Sequence, residues 1–476
     1  MTTDNPGKSA HPYIPNSVPS IQAKMLEAVG ASDVEEFYES IPEALRIKGK
    51  MNMPEPLTSE YELRRHVSGI LSRNRSCIDL LCFRGGGCAQ HYVPAVCDEI
   101  NRRSEFLTAY AGEPYEDLGR YQVLWEYASL MGELLDFDVV SIPTFDWNQA
   151  ASTSIRMAQR INGRSQILIS EHVPTDRLST ITNYCRSAMQ IVTFGTDAQT
   201  GLVDLADLEA KLSSDTVGVY FENPSFLGRI DHQGQQIADL VHAAGGLCLV
   251  GVDPISLGVL TPPSHYGADI VCGDLQVLGM HMQQGGGQAG FIASRDEERF
   301  VCEYPSRLFG LTETTVPGEW GFGDVLYVDR TSFGAREKGK EFVGTATALW
   351  GVTAGVYLAL MGPVGMTRVG RTIVQNTRYA MKVLGAIEGV EVRCADTSHF
   401  KEFAIDLNAT GTTPADVNEA LLEHDILGGI DGAGQVPGSE GCMILCITER
   451  HTSNDIDRLG SAVAAAVARP PAVASA

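Results

Sequence analysis

The spacing of apolar and polar positions divides the chain into three stretches. From about 16 to 75 the period is helical. SVPSIQAKMLEAVG sets Ile21, Met25, Leu26 and Val29 on one stripe and stops at Gly30. SEYELRRHVSGILSRN opens on a Ser59 cap and aligns Leu63, Val67, Ile70 and Leu71. Two short stripes of this kind predict an arm that wraps a neighbour or a partner subunit. Between about 120 and 335 the pattern alternates. The short runs QILIS (166–170), QIVTF (190–194), VGVYF (217–221), LCLVGV (247–252), DIVC (269–272) and GFIAS (290–294) have β character. Helical segments lie between several of them. In QQIADLVHAAGG, Ile237, Leu240, Val241 and Ala244 fall at helical spacing before Gly245 and Gly246. This cadence predicts a largely parallel sheet covered on both faces, with ligands at the carboxyl ends of the strands. From about 336 to 470 a long apolar helix, ATALWGVTAGVYLALMG, precedes strand candidates VEVRC (391–395), EFAIDL (402–407) and CMILCITE (442–449). The expected organisation is an N-terminal helical arm (1–80), a large α/β domain (81–335) and a smaller C-terminal α+β domain (336–476).

Charge and composition narrow the partners. Among 476 residues, 36 are Lys or Arg and 59 are Asp or Glu, a net charge of −23. Nucleic acid and anionic membrane surfaces reward basic patches, so neither is expected as a partner. No run of ~18 consecutive apolar residues offers a membrane span. The N-terminus, MTTDNPGKSAHP, has no hydrophobic signal core, and a cytoplasmic location is expected. The cysteines at 77, 82, 88, 97, 185, 248, 272, 302, 394, 442 and 446 form no CxxC pair and read as buried thiols in a reducing compartment. No HExxH, zinc-spaced Cys/His cluster, GxSxG, Walker loop or GxGxxG after a strand occurs, so no metal site is expected.

Four segments could carry chemistry. In VGVDPISLG an apolar strand ends in Asp253, whose carboxylate could hold a positively charged ring nitrogen as in pyridoxal-phosphate enzymes, or simply cap the next turn. Enzymes of that kind carry a Schiff-base lysine further along, near 277, where Val277 stands. Lysines occupy only 8, 24, 48, 50, 211, 338, 340, 382 and 401, so none falls between 211 and 338. ENPSFLG puts Glu222 and Asn223 at a strand end, in a site or in an ordinary Asn-Pro turn. FDWNQAAST opens a helix with Asn148 and Gln149, which could receive an anion or act as a cap. The glycines at 285–287, with Gly290, could admit a close backbone approach or form a tight turn. Of the scattered histidines, His172 and His281 fall near strand ends.

Taken together, YIPNSVPSIQAKMLEAVG, IPEALRI, LTSEYELRRH, HYVPAVCDEINRRSEFLTAY, LWEYASLMGELLDFDV, ENPSFLGRI, VGVDPISLGVLTPP, GADIVCGDLQVLG, YPSRLFGLT and AREKGKEFVGTATAL carry a resemblance over about 11–465. The chain resembles the alpha subunits (subunit 1) of two-subunit glycine dehydrogenases (decarboxylating), in the P-protein family of the glycine cleavage system. The resemblance implies a pyridoxal-phosphate-dependent transferase fold, aspartate aminotransferase-like (fold type I), paired with a beta subunit as a heterodimer or α2β2. It implies that the beta subunit carries the lysine and the pyridoxal phosphate, and that the alpha subunit completes a shared channel. The pair would decarboxylate glycine and pass the aminomethyl group to the lipoyl arm of the H-protein. Asp253 would then be a vestige of cofactor binding. Arg307 in YPSRLFG and Arg336 in AREKGK become candidates for holding a carboxylate, with Asn148, Asn223 and His281 on the cavity wall. Surface ion pairs are the alternative for both arginines. The family reads close to REKATSNICTNQAL where this chain reads REKGKEFVGTATAL. YTPYQPE is replaced by YAGEPYE (110–116), a LYDGATA-like segment by TFDWNQA (144–150), and a GGPYLG-like element by QGGGQAG (284–290). These departures leave open a related lyase for another amino acid, and the absent lysine leaves open a non-catalytic scaffold or regulatory subunit.

Overall fold

The computed structural model describes residues 18–49, 51–107, 118–283, 286–343 and 346–468. The chain divides into two units after Asn74. In the first, Pro19–Val29 is a helix with proline in its first turn and Gly30 at φ 72° closing it. The helix Glu60–Leu71 starts at Ser59, whose side chain accepts from the Glu62 N–H. Neither helix buries a residue, and Leu45 and Ile47 between them are each 74% exposed.

The second unit opens with strand β1 (Leu81–Cys82). Its main sheet is built from β2 (Val139–Val140), β3 (Gln166–Ser170), β4 (Gln190–Phe194), β5 (Thr216–Glu222), β6 (Leu247–Val252), β7 (Ile270–Asp274) and β8 (Gly290–Ser294), in the order β2-β8-β7-β6-β5-β3-β4. Strands β3 to β7 are parallel; β8 runs antiparallel to β7 and to β2. The expected runs became strands, the central ones because they can bury both faces, while β4 at the sheet edge stays largely uncovered. Every residue of β5, β6 and β7 is buried. Along β6, Cys248, Val250 and Val252 enter one core while Leu247 and Leu249 enter the core on the opposite face.

After the main sheet comes a hairpin, β9 (Phe309–Glu313) and β10 (Trp320–Asp324), which the sequence reading did not foresee. Five further strands follow: β11 (Glu391–Val392), β12 (Glu402–Asp406), β13 (Ile426–Leu427), β14 (Ile430–Asp431) and β15 (Cys442–Cys446), four of which form a smaller sheet. Within it β11, β12, β15 and β14 are neighbours, while β13 pairs separately with β1. Residues 81–82 therefore hydrogen-bond to the C-terminal layer.

The apolar helix runs over Ala348–Leu384 and breaks at Gly362, whose φ of 55° and ψ of −175° precede Pro363. Proline cannot donate to the preceding turn, and only glycine takes that backbone conformation cheaply. Before the break Ala354, Tyr357 and Leu358 pack into the core of the main sheet; after it Ala380 and Leu384 enter the core of the smaller one. By length and composition this helix could cross a membrane, but those buried side chains hold it between the two cores.

Candidate functional site

Three adjacent parallel strands deliver a carboxylate to the same edge of the main sheet. Glu222 ends β5, Asp253 follows β6 and Asp274 ends β7. All three are buried. Such an edge is where ligands bind in open α/β sheets. Asp253 does cap the next turn, since its Oδ1 accepts from the Ile255 N–H at 3.0 Å. Its Oδ2, however, is paired with the ammonium of Lys401. Lys401 sits just ahead of β12, buried, with φ at 64°. Burial works against its charge, but the Asp253 and Glu402 carboxylates outweigh burial and raise its pKa above the ordinary lysine value.

Glu222 is paired with Arg177 from the helix Thr175–Cys185 and accepts from the Tyr220 hydroxyl at 3.1 Å. The Arg177 guanidinium lies 3.8 Å from the centroid of a Trp147 ring, and its Nε donates to Asn148 Oδ1 at 3.0 Å. Asp274 accepts from the Gln276 N–H at 3.0 Å. Gln276 in turn binds both the N–H and the carbonyl of Ala89, tying residues 85–91 over the edge. Glu402 accepts from the Gly86 N–H at 2.8 Å. Burial raises the Asp274 carboxyl to about 7 and, aided by Asp274, the Cys88 thiol to about 12.

The cleft among these groups holds about 40 Å³. That is space for about three waters, far below the several hundred Å³ typical of cofactor sites. Val277 lines it, buried and apolar, where a Schiff-base lysine would stand. Asp253, which could have held a ring nitrogen, already has a cation. The residues present do not fit pyridoxal phosphate.

Of the residues expected at a cavity, Asp253 and Val277 line this cleft and Asn148 supports it through Arg177. The helix that Asn148 and Gln149 open is capped by Asp146, which accepts from the Gln149 N–H at 2.7 Å. Asn223 is turned away from the cleft. Its amide exchanges two hydrogen bonds with the Asp231 backbone and closes the loop 223–231. Arg307 is buried elsewhere, against Asp324 of β10 at 2.6 Å. Arg336 is exposed, and His281 pairs with Asp98 at 3.0 Å on the surface. Neither long basic side chain reaches the strand ends: Arg307 is held against β10, and Arg336 stands in the short turn Arg336–Lys338 after it.

The replaced segments also separate. Trp147 of 144–150 stands in the cleft wall. In 339–344, Glu341 joins Arg156 and Arg160, and Lys340 joins Glu303, in an ion-pair network away from the cleft. The segment 110–116, Gln284 and Gly285 lie outside the described residues. Sequence reasoning missed Lys401, Arg177 and Asp274. The one available signal for Lys401 was a lone lysine between Phe400 and the apolar positions of a strand.

Comparison with known proteins decides the family. The model of the glycine cleavage system P-protein family matches residues 11–463. The chain belongs to the glycine cleavage system P-protein family. A relative in Staphylothermus marinus, described as a probable glycine dehydrogenase (decarboxylating) subunit 1, is 36% identical over 94% of this chain and 97% of its own. One in Aeropyrum pernix with the same description is 37% identical over 94% and 97%. A solved structure of glycine decarboxylase (P-protein), in inhibitor-bound form, superposes with a TM-score of 0.83 at 29% identity, over 94% of this chain and 98% of that one. A sphingosine-1-phosphate lyase from Burkholderia pseudomallei, 14% identical, matches with a TM-score of 0.61 over 90% of this chain and 94% of its own, a likeness of fold alone. The P-protein chain thus has the α/β fold of type I pyridoxal-phosphate-dependent enzymes.

Proposed function

We propose that this chain is the non-lysine subunit of a two-subunit glycine dehydrogenase (decarboxylating), acting with a second chain that holds pyridoxal phosphate. The observation that carries this reading is the cleft itself. The strand ends that a type I enzyme uses for its cofactor are closed here by the Lys401–Asp253 and Arg177–Glu222 ion pairs, with Val277 in place of a lysine. Membership of the P-protein family, with subunit 1 relatives covered almost end to end, supplies the reaction.

In this reading the chain contributes form rather than chemistry. Its interlocked strand ends make a rigid wall that keeps water from the partner's site. The apolar residues left exposed on the first unit, Leu45 and Ile47 foremost, support a partner that covers them. The aminomethyl group then passes to the lipoyl arm of an H-protein, as the family assignment suggests.

The test is reconstitution. Each chain is purified separately and glycine–CO2 exchange is measured for each alone and for the mixture. We expect exchange only from the mixture. Equal exchange from the partner alone would sink the proposal.

A further inference from the structure

A second buried cluster lies on the other side of the loop 223–231, and the closed cleft makes no use of it. Arg229 is only 5% exposed, yet its Nε has no hydrogen-bond partner. Among the described residues no carboxylate lies within ion-pair distance of it. The loop is built to hold it there. Its backbone N–H donates to Ser225 Oγ and its carbonyl accepts from the Ser225 N–H, while the strand-like bridge to His399 fixes the other side. Gly201, at φ 67°, lies flat beneath the guanidinium; a Cβ there would fall 2.4 Å from Nη1.

Two more buried polar atoms around it are unpartnered. His172, 8% exposed, has its Nε2 against Thr196 Oγ1 at 3.0 Å and its Nδ1 unpaired. His399, 7% exposed, has its Nδ1 on the Thr397 carbonyl and its Nε2 unpaired. Burial first, and the nearby Arg229 charge as well, lower both imidazoles to about 4, so both are neutral. Neither histidine can serve as a counter-ion.

The wall also carries the carboxylates of Glu171 and Asp197, neither within ion-pair distance of Arg229 and each hydrogen-bonded to neutral groups. Glu171 Oε1 accepts from the Thr196 N–H and hydroxyl, and Asp197 Oδ1 from the Gln199 and Thr200 N–H groups. Beside Arg229 is a cavity of about 230 Å³, whose wall also carries His172, Arg393, Cys394 and Ser439. Arg393 is held at 3.7 Å from Asp406, a loose pair that leaves its donors largely open.

A buried cation with no counter-ion is costly unless something supplies the negative charge. A guanidinium is a planar fork that matches a carboxylate or phosphate edge with two parallel hydrogen bonds. We propose that Arg229 and Arg393 form a binding site for a small oxyanion, a carboxylate or a phosphate, separate from the Asp253 cleft. The site does not rest on the proposed role in glycine decarboxylation. Its loop also carries Pro224, Ser225 and Phe226 on the cleft wall, so a bound anion braces that wall from behind.

The test uses the full-length chain, alone and with its partner subunit. Thermal unfolding is followed while inorganic phosphate or acetate is titrated in, against chloride at equal ionic strength. Ligand that binds only the folded state raises the midpoint with concentration and saturates in occupancy. We expect such a rise with phosphate or acetate and not with chloride. A rise with phosphate alone identifies a tetrahedral ligand, and one with acetate alone a carboxylate. Arg229→Gln should weaken the effect at least tenfold. Should that variant not fold, Arg393→Gln, on the more open wall, should weaken it at least threefold. Equal effects of chloride and both oxyanions, or an undiminished response in Arg393→Gln and in a folded Arg229→Gln, would overturn the proposal.

Discussion

Lys401 carries three costs at one position: a buried charge, a left-handed backbone and a long side chain held in one place. The Asp253 carboxylate offsets the first of these. Removing one partner of a buried pair leaves the other unsatisfied, which typically costs about 3–5 kcal/mol. Lys401→Met should therefore lower stability by that amount in urea unfolding, and the double change Lys401→Met with Asp253→Asn should restore most of it. A single variant as stable as the parent would show that the pair does not close the cleft. Asp274 gives a pH signature. Its folded pKa, about 7, lies above its unfolded value of 3.8. The folded state holds the proton longer, so the parent loses stability as pH rises from about 4 to 7 and levels off above. Asp274→Asn removes that loss. The variant should gain on the parent across this window, by up to about 4 kcal/mol. A stability difference constant over pH 4–8 would contradict it.

At the scale of elements, the strands that bury both faces were legible because they read as unbroken apolar runs. VGVYF, LCLVGV and GFIAS each became a strand at their expected places. The hairpin of β9 and β10 was not, because FGLTE and WGFGD are glycine-bearing and half-exposed, with no apolar alternation to mark them. The site was legible only in part. Asp253 could be placed from its strand end, but its partner is 148 residues away in sequence. No local pattern carries that pairing. Arg307 and Arg336 were drawn from motifs whose turns lead elsewhere. The apolar helix was foreseen, yet it continues past Gly362 to Leu384 because a glycine there lets the chain turn and start again. A Cβ at Gly362 would meet nothing within 4 Å, so any penalty is backbone strain alone. Gly362→Ala should cost about 1–3 kcal/mol in unfolding experiments, and no cost would mean that the break is not confined to that conformation.

At the scale of the whole molecule, a chain matched end to end by P-protein relatives has a cofactor edge sealed by its own side chains. Its first unit leaves apolar residues uncovered. Both features support the proposed completion by another chain. Ile47→Asp, at an exposed position, should leave the isolated chain's stability within about 0.5 kcal/mol but weaken association with the partner, measured by analytical ultracentrifugation. Unchanged association would remove the first unit from the interface. The position of the cofactor shows directly which chain carries the chemistry. The reconstituted pair is incubated with pyridoxal phosphate and reduced with borohydride, which fixes the cofactor to whichever lysine holds it, and the labelled peptides are mapped by mass spectrometry. A pyridoxyl label is expected on the partner chain alone. A stoichiometric label on this chain, at Lys401 or any other of its lysines, would contradict it.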